Sequence, residues 1–189
     1  MLAIQNDFLL VREPSRFHKP ETLELPEDLT LWVPGETMVA WSHEAAREWF
    51  SLPDLHEIMD LSHSASRINW LAMMLFCYAS GRWSSVAIAK ELDGPDTELR
   101  AFAVRLNSWQ EIMQFRRISR NTLRCCLAFL LQRVWQAWET GVSCPSQPYP
   151  SILNPIQSNL DYASSSWFLT ESDARIRFAA SHYRLDLED

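Results

Sequence analysis

The amino-acid sequence predicts an all-α protein: a compact bundle of five to seven helices with helix-turn-helix-like elements and an extended, proline-rich N-terminal arm. Apolar residues recur at spacings of three and four in two stretches, Ile68–Ala79 and Leu123–Trp138, which is the periodicity of helices that pack together. Glycines at positions 81 and 141 follow these stretches, where helices commonly end. Hydrophobic residues make up 47% of the 189 positions, a composition typical of a folded domain.

The N-terminal arm is predicted from its prolines, Pro14, Pro20, Pro26 and Pro34. Proline lacks the amide proton that a helix interior needs, and it disfavours helical geometry in the residue before it. We therefore expect an extended segment that lies across the helical body. Its spaced apolar side chains would anchor it there, namely Leu23, Leu25, Leu29, Trp32 and Val33.

Capping residues and apolar periodicity divide the following part of the chain into helices. Ser42 is a candidate cap for a helix that runs to Phe50, and a capping-box pattern opens a short second helix over 55–61. The third helix, from Ser66 to Ala79, is apolar on nearly every face. We therefore expect it to be the buried centre of the fold.

A helix-turn-helix pattern follows this central helix. Gly81 stands where the helix must end and favours a left-handed cap, and Ser84 or Ser85 can cap a second helix through Leu92. Helical hairpins of this kind are common in all-helical proteins. The pattern therefore fits a DNA-binding unit and also a purely structural hairpin.

Three more helices are predicted between the turn at residues 93–96 and Gly141. Ser108 with Glu111 three residues later forms a capping box that opens the second of them, and Ser119 or Asn121 can cap the third. The expected spans are Thr97–Leu106, Ser108–Phe115 and Asn121–Gly141.

Composition changes after residue 140, where prolines, serines and asparagines replace the apolar pattern. We therefore divide the chain into a helical domain over 1–140 and a second part over 141–189. The second part is predicted to be a proline- and serine-rich linker followed by a C-terminal helical appendage that begins near Thr170.

Positive charge is concentrated in one part of an otherwise acidic chain. The formal net charge is −7, yet the segment from Leu99 to Trp138 holds seven arginines and one acid, Glu111. Phosphate binding is driven by Lys and Arg side chains that displace counterions. An acidic protein can bind nucleic acid if its basic residues share a face, and this segment could supply one.

Arg116, Arg117, Arg120 and Arg124 are the sharpest cluster in the basic segment. If the chain is helical throughout, residues 116, 120 and 124 form one stripe; if residues 119–121 form a turn, two of the arginines stand at a helix N-terminus. Both arrangements suit phosphate, because an arginine fork matches phosphate oxygens.

Arg82 and Lys90, which flank the serine-capped helix, are further candidates for phosphate contact. The alternative is that the arginines are buried or paired with carboxylates. In that case the protein would be a protein-interaction or scaffold subunit, or an oligomerising regulator, with no direct DNA contact. Exposure of the arginines distinguishes the two hypotheses.

The sequence gives no indication of a catalytic centre, a cofactor or a metal site. The five histidines are scattered and the four glycines are isolated, so neither a metal-ligand pattern nor a phosphate-binding loop is recognisable. The cysteines lack C-x-x-C spacing, and we expect them to be reduced. The longest apolar run, Trp70–Ala79, is far shorter than the roughly 20 residues that span a bilayer. We predict a cytoplasmic, non-enzymatic protein that does not engage membranes.

Aromatic residues in the last predicted helix of the first domain admit protein association. Trp135 and Trp138 are of the residue type that dominates interface energetics, although tryptophans at helical spacing are more often core residues. A homo-oligomer formed through this helix is therefore a hypothesis.

Four pieces of the sequence carry a resemblance to a known family. They are PETLELPEDLTLWVP (Pro20–Pro34), LAMMLFCYASGRWSS (Leu71–Ser85), Asp96 with LRAFA (Leu99–Ala103), and IMQFRR (Ile112–Arg117). In this order and spacing they resemble the N-terminal, non-catalytic domain of bacterial insertion-sequence transposases whose full-length members carry a DDE catalytic domain. The resemblance covers roughly Pro20 to Trp138.

The resemblance implies DNA recognition without catalysis, with Ser84 and Ser85 facing the DNA. One departure is Val86, which stands where the family usually has Arg. After Trp138 the family continues into a domain with three spaced catalytic carboxylates, a pattern this chain lacks. We therefore expect a stand-alone or truncated relative that binds double-stranded DNA and forms homo-oligomers or mixed oligomers with a related transposase.

Overall fold

Seven α-helices and one short 3₁₀ helix form the described part of the chain. The computed structural model describes residues 25–50, 64–94, 97–140 and 162–185. The 3₁₀ helix is Leu29–Leu31, and the α-helices are α1 (Gly35–Phe50), α2 (Ser64–Ala79), α3 (Ser85–Asp93), α4 (Thr97–Arg100), α5 (Trp109–Ile118), α6 (Arg120–Thr140) and α7 (Tyr162–Leu185). Within these ranges the β-type pairing is an isolated antiparallel bridge between Asp28 and Ser80. The prediction of an all-α bundle is confirmed.

Three predicted features lie outside the described residues. They are the proline-rich arm before residue 25, the short helix over 55–61 and the linker over 141–161.

Helix α2 is the centre of the bundle. Every residue from Leu71 to Ala79 is buried, and α1, α6 and α7 pack around it. A helix with apolar side chains on all faces is shielded from water only when other elements surround it. The prediction of a buried central helix is confirmed.

Helix α1 begins earlier than predicted. It starts at Gly35, directly after Pro34, whose carbonyl oxygen accepts the amide of Met38 at 3.0 Å. Ser42, the predicted cap, lies inside the helix and is buried. That prediction was wrong because the apolar face of the helix, from Met38 to Ala45, continues across Ser42 and packs on α2.

The turn between α2 and α3 has the predicted chemistry. Gly81 has a φ of 71°, and the amide of Arg82 donates to the carbonyl of Cys77 at 2.8 Å, which is the reach-back bond of a Schellman cap. Ser84 Oγ accepts the amide of Ala87 at 3.1 Å and so caps α3. Of the two serines predicted as candidates, Ser84 is therefore the N-cap of α3.

Helix α4 is shorter than predicted. It covers only Thr97–Arg100, whereas the sequence predicted a helix to Leu106. Ala103 has a φ of 52°, in the left-handed region, so the chain turns out of the helix at this point. Phe102 is buried beside this turn, so the chain continues to contribute to the core after the helix has ended.

Helix α5 is longer than predicted and starts without the expected capping box. The Ser108 side chain makes no capping bond, and the Glu111 carboxylate accepts Asn107 Nδ2 at 2.8 Å instead. The helix runs to Ile118, and Ser119 ends it by donating its amide to the carbonyl of Phe115 at 2.8 Å.

Helix α7 shares the core of the bundle. It begins at Tyr162, before the predicted start at Thr170, and packs along α6. Buried Arg175 ties it to the rest of the chain. The Arg175 guanidinium donates to the backbone carbonyls of Pro26, Glu27 and Tyr78.

Candidate nucleic-acid interface

Arg116, the centre of the predicted phosphate cluster, faces inward. Its side chain is 3% exposed, and Nη1 donates to the carbonyl of Trp83 at 2.7 Å and to Ser85 Oγ at 3.2 Å. Its guanidinium carbon lies 5.2 Å from the ring centroid of Tyr78. The prediction that Arg116 contacts phosphate is corrected, because this side chain fastens α5 to the start of α3.

Arg82 also has internal partners. Its Nε lies 3.0 Å from Glu91 Oε2, and its Nη2 lies 3.2 Å from Glu98 Oε2. The side chain thus joins the α2–α3 turn to α3 and α4, and its charge is balanced by two carboxylates. Arg82 thus acts as a cross-link within the fold, and its contact with phosphate stays a prediction.

Ser84 and Ser85 are both engaged within the fold. Ser84 Oγ caps α3, and Ser85 is buried with its Oγ accepting Arg116 Nη1. Ser85 therefore does not face outward, which corrects the expectation drawn from the transposase resemblance. Ser84 is half-buried at the first turn of α3.

Arg124 makes an ion pair between two helices. Its Nε lies 2.9 Å from Asp173 Oδ2, which joins α6 to α7. The Arg124 side chain is 41% exposed, so it is not enclosed. Its positive charge is nevertheless offset by the α7 carboxylate, which weakens it as a phosphate ligand.

Arg117, Arg120 and Lys90 are the predicted cations that remain on the surface. All three are exposed, and none forms an ion pair with another residue of the described ranges. Arg117 lies in the last turn of α5 and Arg120 begins α6. Because Ser119 separates the two helices, the predicted stripe of residues 116, 120 and 124 does not form.

Arg100 and Arg105 are two exposed arginines that the sequence interpretation did not select. Arg100 ends α4, and Arg105 lies in the segment between α4 and α5. Neither is ion-paired to another residue of the described part of the chain. The signal that could have found them was the charge of the whole basic segment, which holds them both.

An aromatic cluster lies at the other end of α6. The rings of Trp32 and Trp138 are stacked with centroids 4.8 Å apart, and Trp135 lies 5.7 Å from Trp138. Trp138 is 44% exposed, and Leu31, next to Trp32, is 76% exposed. This surface is the feature that best fits protein association.

Within the described residues, potential metal-ligating side chains do not form a cluster of three or more. The cysteines at positions 77, 125 and 126 are free thiols, and burial raises the pKa of Cys126 well above its ordinary value, which disfavours the reactive thiolate. None of the helices α1 to α7 combines the length and apolarity needed to cross a membrane within the described residues.

Comparisons with known proteins found no match to a protein-family model, to a curated protein or to a solved structure.

Proposed function

We propose that this chain is a non-catalytic protein that binds duplex DNA through exposed cations of the basic segment. The carrying observation is that Arg100, Arg105, Arg117 and Arg120 are all exposed within 21 residues of sequence and are not ion-paired to other described residues. Glu111, the acid of that stretch, accepts a hydrogen bond from Asn107.

The internal ion pairs support this proposal by removing acids from the same region. Glu91 and Glu98 lie beside the basic segment, and both are paired with Arg82. Their charges are therefore partly neutralised where they would otherwise repel phosphate. Because phosphate binding depends on local positive charge, a net acidic chain can still present a DNA-binding face.

The α2–α3 hairpin supports a helix-turn-helix-like mode of binding. Val86, Ala87 and Lys90 are exposed on α3, the second helix of the hairpin. Buried Arg116 fastens α5 to α3, so Arg117 is carried on a helix that is fixed to the Lys90-bearing helix. A phosphate-contacting arginine and an exposed second helix on one rigid frame suit duplex DNA.

The transposase relation is part of the proposal. Two segments that resemble motifs of the family are in contact. They are GRWSS at the α2–α3 turn and IMQFRR in α5, and Arg116 joins them by donating hydrogen bonds to Trp83 and Ser85. This contact supports an interpretation of the motifs as one structural unit. We propose a relative of transposase N-terminal domains that acts in the cytoplasm, alone or in oligomers with itself or a related transposase.

The test is the affinity for fluorescently labelled duplex DNA, measured by anisotropy over a range of salt concentrations. The variant Arg117→Ala/Arg120→Ala is compared with Arg67→Ala/Arg177→Ala, which removes the same charge from exposed arginines outside the basic segment. Each lost phosphate contact lowers the slope of log affinity against log salt by about 0.9.

We expect the first variant to lose up to about 1.8 units of slope, and the control to keep the wild-type slope. Equal losses in both variants would indicate attraction to net charge without a defined face. Absence of wild-type binding at low salt would refute the DNA-binding proposal.

A second candidate function is protein association without DNA contact, and the inward arginines favour it. Arg116 is buried, and Arg82 and Arg124 are ion-paired. The exposed part of the Trp32–Trp138 stack would then be the contact surface. Light scattering after size-exclusion chromatography separates the two functions: association that Trp138→Ala abolishes, without DNA binding by the wild type, would favour this candidate.

A further inference from the structure

Ile118 is an exposed apolar side chain among charged and polar residues. It ends α5 and is 72% exposed, whereas the apolar Ile112 on the same helix is buried. Single exposed hydrophobic residues are common and carry no meaning by themselves. The surroundings of Ile118 are what give it a specific chemistry.

The residues around Ile118 form what we call the α5–α6 corner, defined as Gln114, Arg117, Ile118, Arg120 and Asn121. All five are exposed. Residues 114, 117 and 118 are spaced by three and four on α5, so they share its outer face, and residues 120 and 121 open α6. The corner thus surrounds one apolar tip with two cations and two amides and contains no acid.

The corner is held on a rigid frame. A single residue, Ser119, joins the two helices; its amide donates to the carbonyl of Phe115 and its carbonyl accepts the amide of Leu123, each at 2.8 Å. Arg116 and Leu123, on the inner side of the corner, are both buried. A side chain that protrudes from such a frame can contact a ligand without the entropy cost of ordering a flexible loop.

An apolar side chain flanked by arginines and amides is the combination that DNA-bending proteins use. Architectural DNA-binding proteins insert an apolar wedge such as Ile between base steps from the minor groove, while arginine and amide side chains contact the groove and the phosphates. A membrane surface would call for a wider apolar face, of the kind an amphipathic helix presents. The positive charge of the corner complements the phosphates on either side of the groove.

Resting on the proposed function, we infer that Ile118 is a wedge that enters the minor groove of duplex DNA and bends it, with Arg117 and Arg120 holding the flanking phosphates. The ligand class is therefore deformable duplex DNA. Flexible pyrimidine–purine steps and already distorted duplexes lower the cost of bending, so the protein should prefer them.

The test compares Ile118→Ser with Phe178→Ser, which also replaces an exposed apolar side chain by serine, at a residue of α7 that is 44% exposed and away from the corner. The probes are an intact duplex and the same duplex with a two-nucleotide bulge, labelled at both ends so that energy transfer reports the bend. Circular dichroism checks that both variants stay folded.

We expect the wild type and Phe178→Ser to bind the bulged duplex about tenfold or more tightly than the intact one, because the bulge has already unstacked a step. Both should shorten the end-to-end distance of the intact duplex. Ile118→Ser should lose the preference and the bend while keeping the salt slope, which depends on the arginines.

Two results would overturn the inference, and they differ from failure of the proposed function. Ile118→Ser that still bends and prefers bulged DNA would remove Ile118 as a wedge while leaving DNA binding intact. Ile118→Ser that changes the oligomeric state and leaves DNA bending unaltered would make the corner an interface between copies. Wild-type protein that binds neither probe at low salt would instead refute DNA binding itself.

Discussion

The buried arginines and the exposed arginines of this chain differ in what their guanidinium groups meet. Arg116 and Arg175 donate to backbone carbonyls, and Arg133 pairs with Glu44 and lies 4.5 Å from the ring of Trp41. The exposed arginines at positions 100, 105, 117 and 120 have no ionic partner among the described residues. Residues 116 and 117 are neighbours in sequence and belong to opposite groups.

The difference shows that charge counted along a sequence overstates the charge available to a ligand. A buried guanidinium needs hydrogen-bond acceptors or a carboxylate inside the protein, because an uncompensated buried charge costs a large free energy. Of the seven arginines between Leu99 and Trp138, Arg116 and Arg133 are buried, and Arg124 is paired with Asp173. The remaining four are the arginines of this segment on which the proposed DNA binding rests.

Among the buried arginines, we expect replacement of Arg175 to have the largest effect on the free energy of unfolding. Arg175→Met keeps most of the side-chain volume but leaves the carbonyls of Pro26, Glu27 and Tyr78 without this donor. We expect the free energy of unfolding to fall by about 3 to 5 kcal/mol, the range for breaking a buried charged network. Urea denaturation followed by circular dichroism measures it.

The matched control for Arg175 lies on the same helix. Arg177 is exposed, and Arg177→Met should change the free energy of unfolding by less than about 0.5 kcal/mol. Similar losses in both variants would show that α7 does not depend on the buried contacts of Arg175.

Arg116 and Arg117, which are adjacent in sequence, should differ in their contribution to the free energy of unfolding. Arg116→Ala removes the donor to Trp83 and Ser85 and should lower the free energy of unfolding by about 2 kcal/mol. Arg117→Ala should leave stability within about 0.5 kcal/mol of the wild type. Urea denaturation of both variants gives these values.

The same pair should show the opposite order in DNA binding. Arg117→Ala should lower the slope of log affinity against log salt by about 0.9, whereas the folded fraction of Arg116→Ala should keep the wild-type slope. Loss of slope in Arg116→Ala, or loss of stability in Arg117→Ala, would contradict the division of the two residues into structural and ligand-binding roles.

The sequence predicts the elements of this fold better than it predicts the direction of its side chains. Gly81 and Ser84 act through the backbone of their own turn, so their roles could be predicted from neighbouring residues. Arg116 and Ser85 are far apart in sequence, and their contact depends on how α5 packs on α3. Helical periodicity alone cannot say that an arginine turns inward to meet a carbonyl. For the same reason, the sequence does not show that Ser42 lies on the buried face of α1.

The last and smallest test concerns His43, a partly buried histidine on α1. Burial, followed by the nearby charge of Arg47, lowers the pKa of His43 below its ordinary value of 6.5, and a backbone hydrogen bond with Ala101 offsets part of this shift. The His43 ring is stacked on Phe102 with centroids 5.0 Å apart, so a proton would charge a partly buried ring. Below pH about 6.5 the unfolded chain takes up this proton more readily than the folded one, and stability should fall as pH decreases.

His43→Gln removes the titrating group and should flatten this part of the pH dependence. The measurement is the urea midpoint of wild type and variant at several pH values between about 7.5 and about 5.5, on either side of the ordinary histidine pKa. The wild type should lose more stability than the variant as pH falls, because at this position its unfolded state gains a proton more readily than its folded state. Parallel curves would mean that His43 is as easily protonated in the folded protein as in the unfolded chain, and that the partial burial of its ring does not disfavour the charged form.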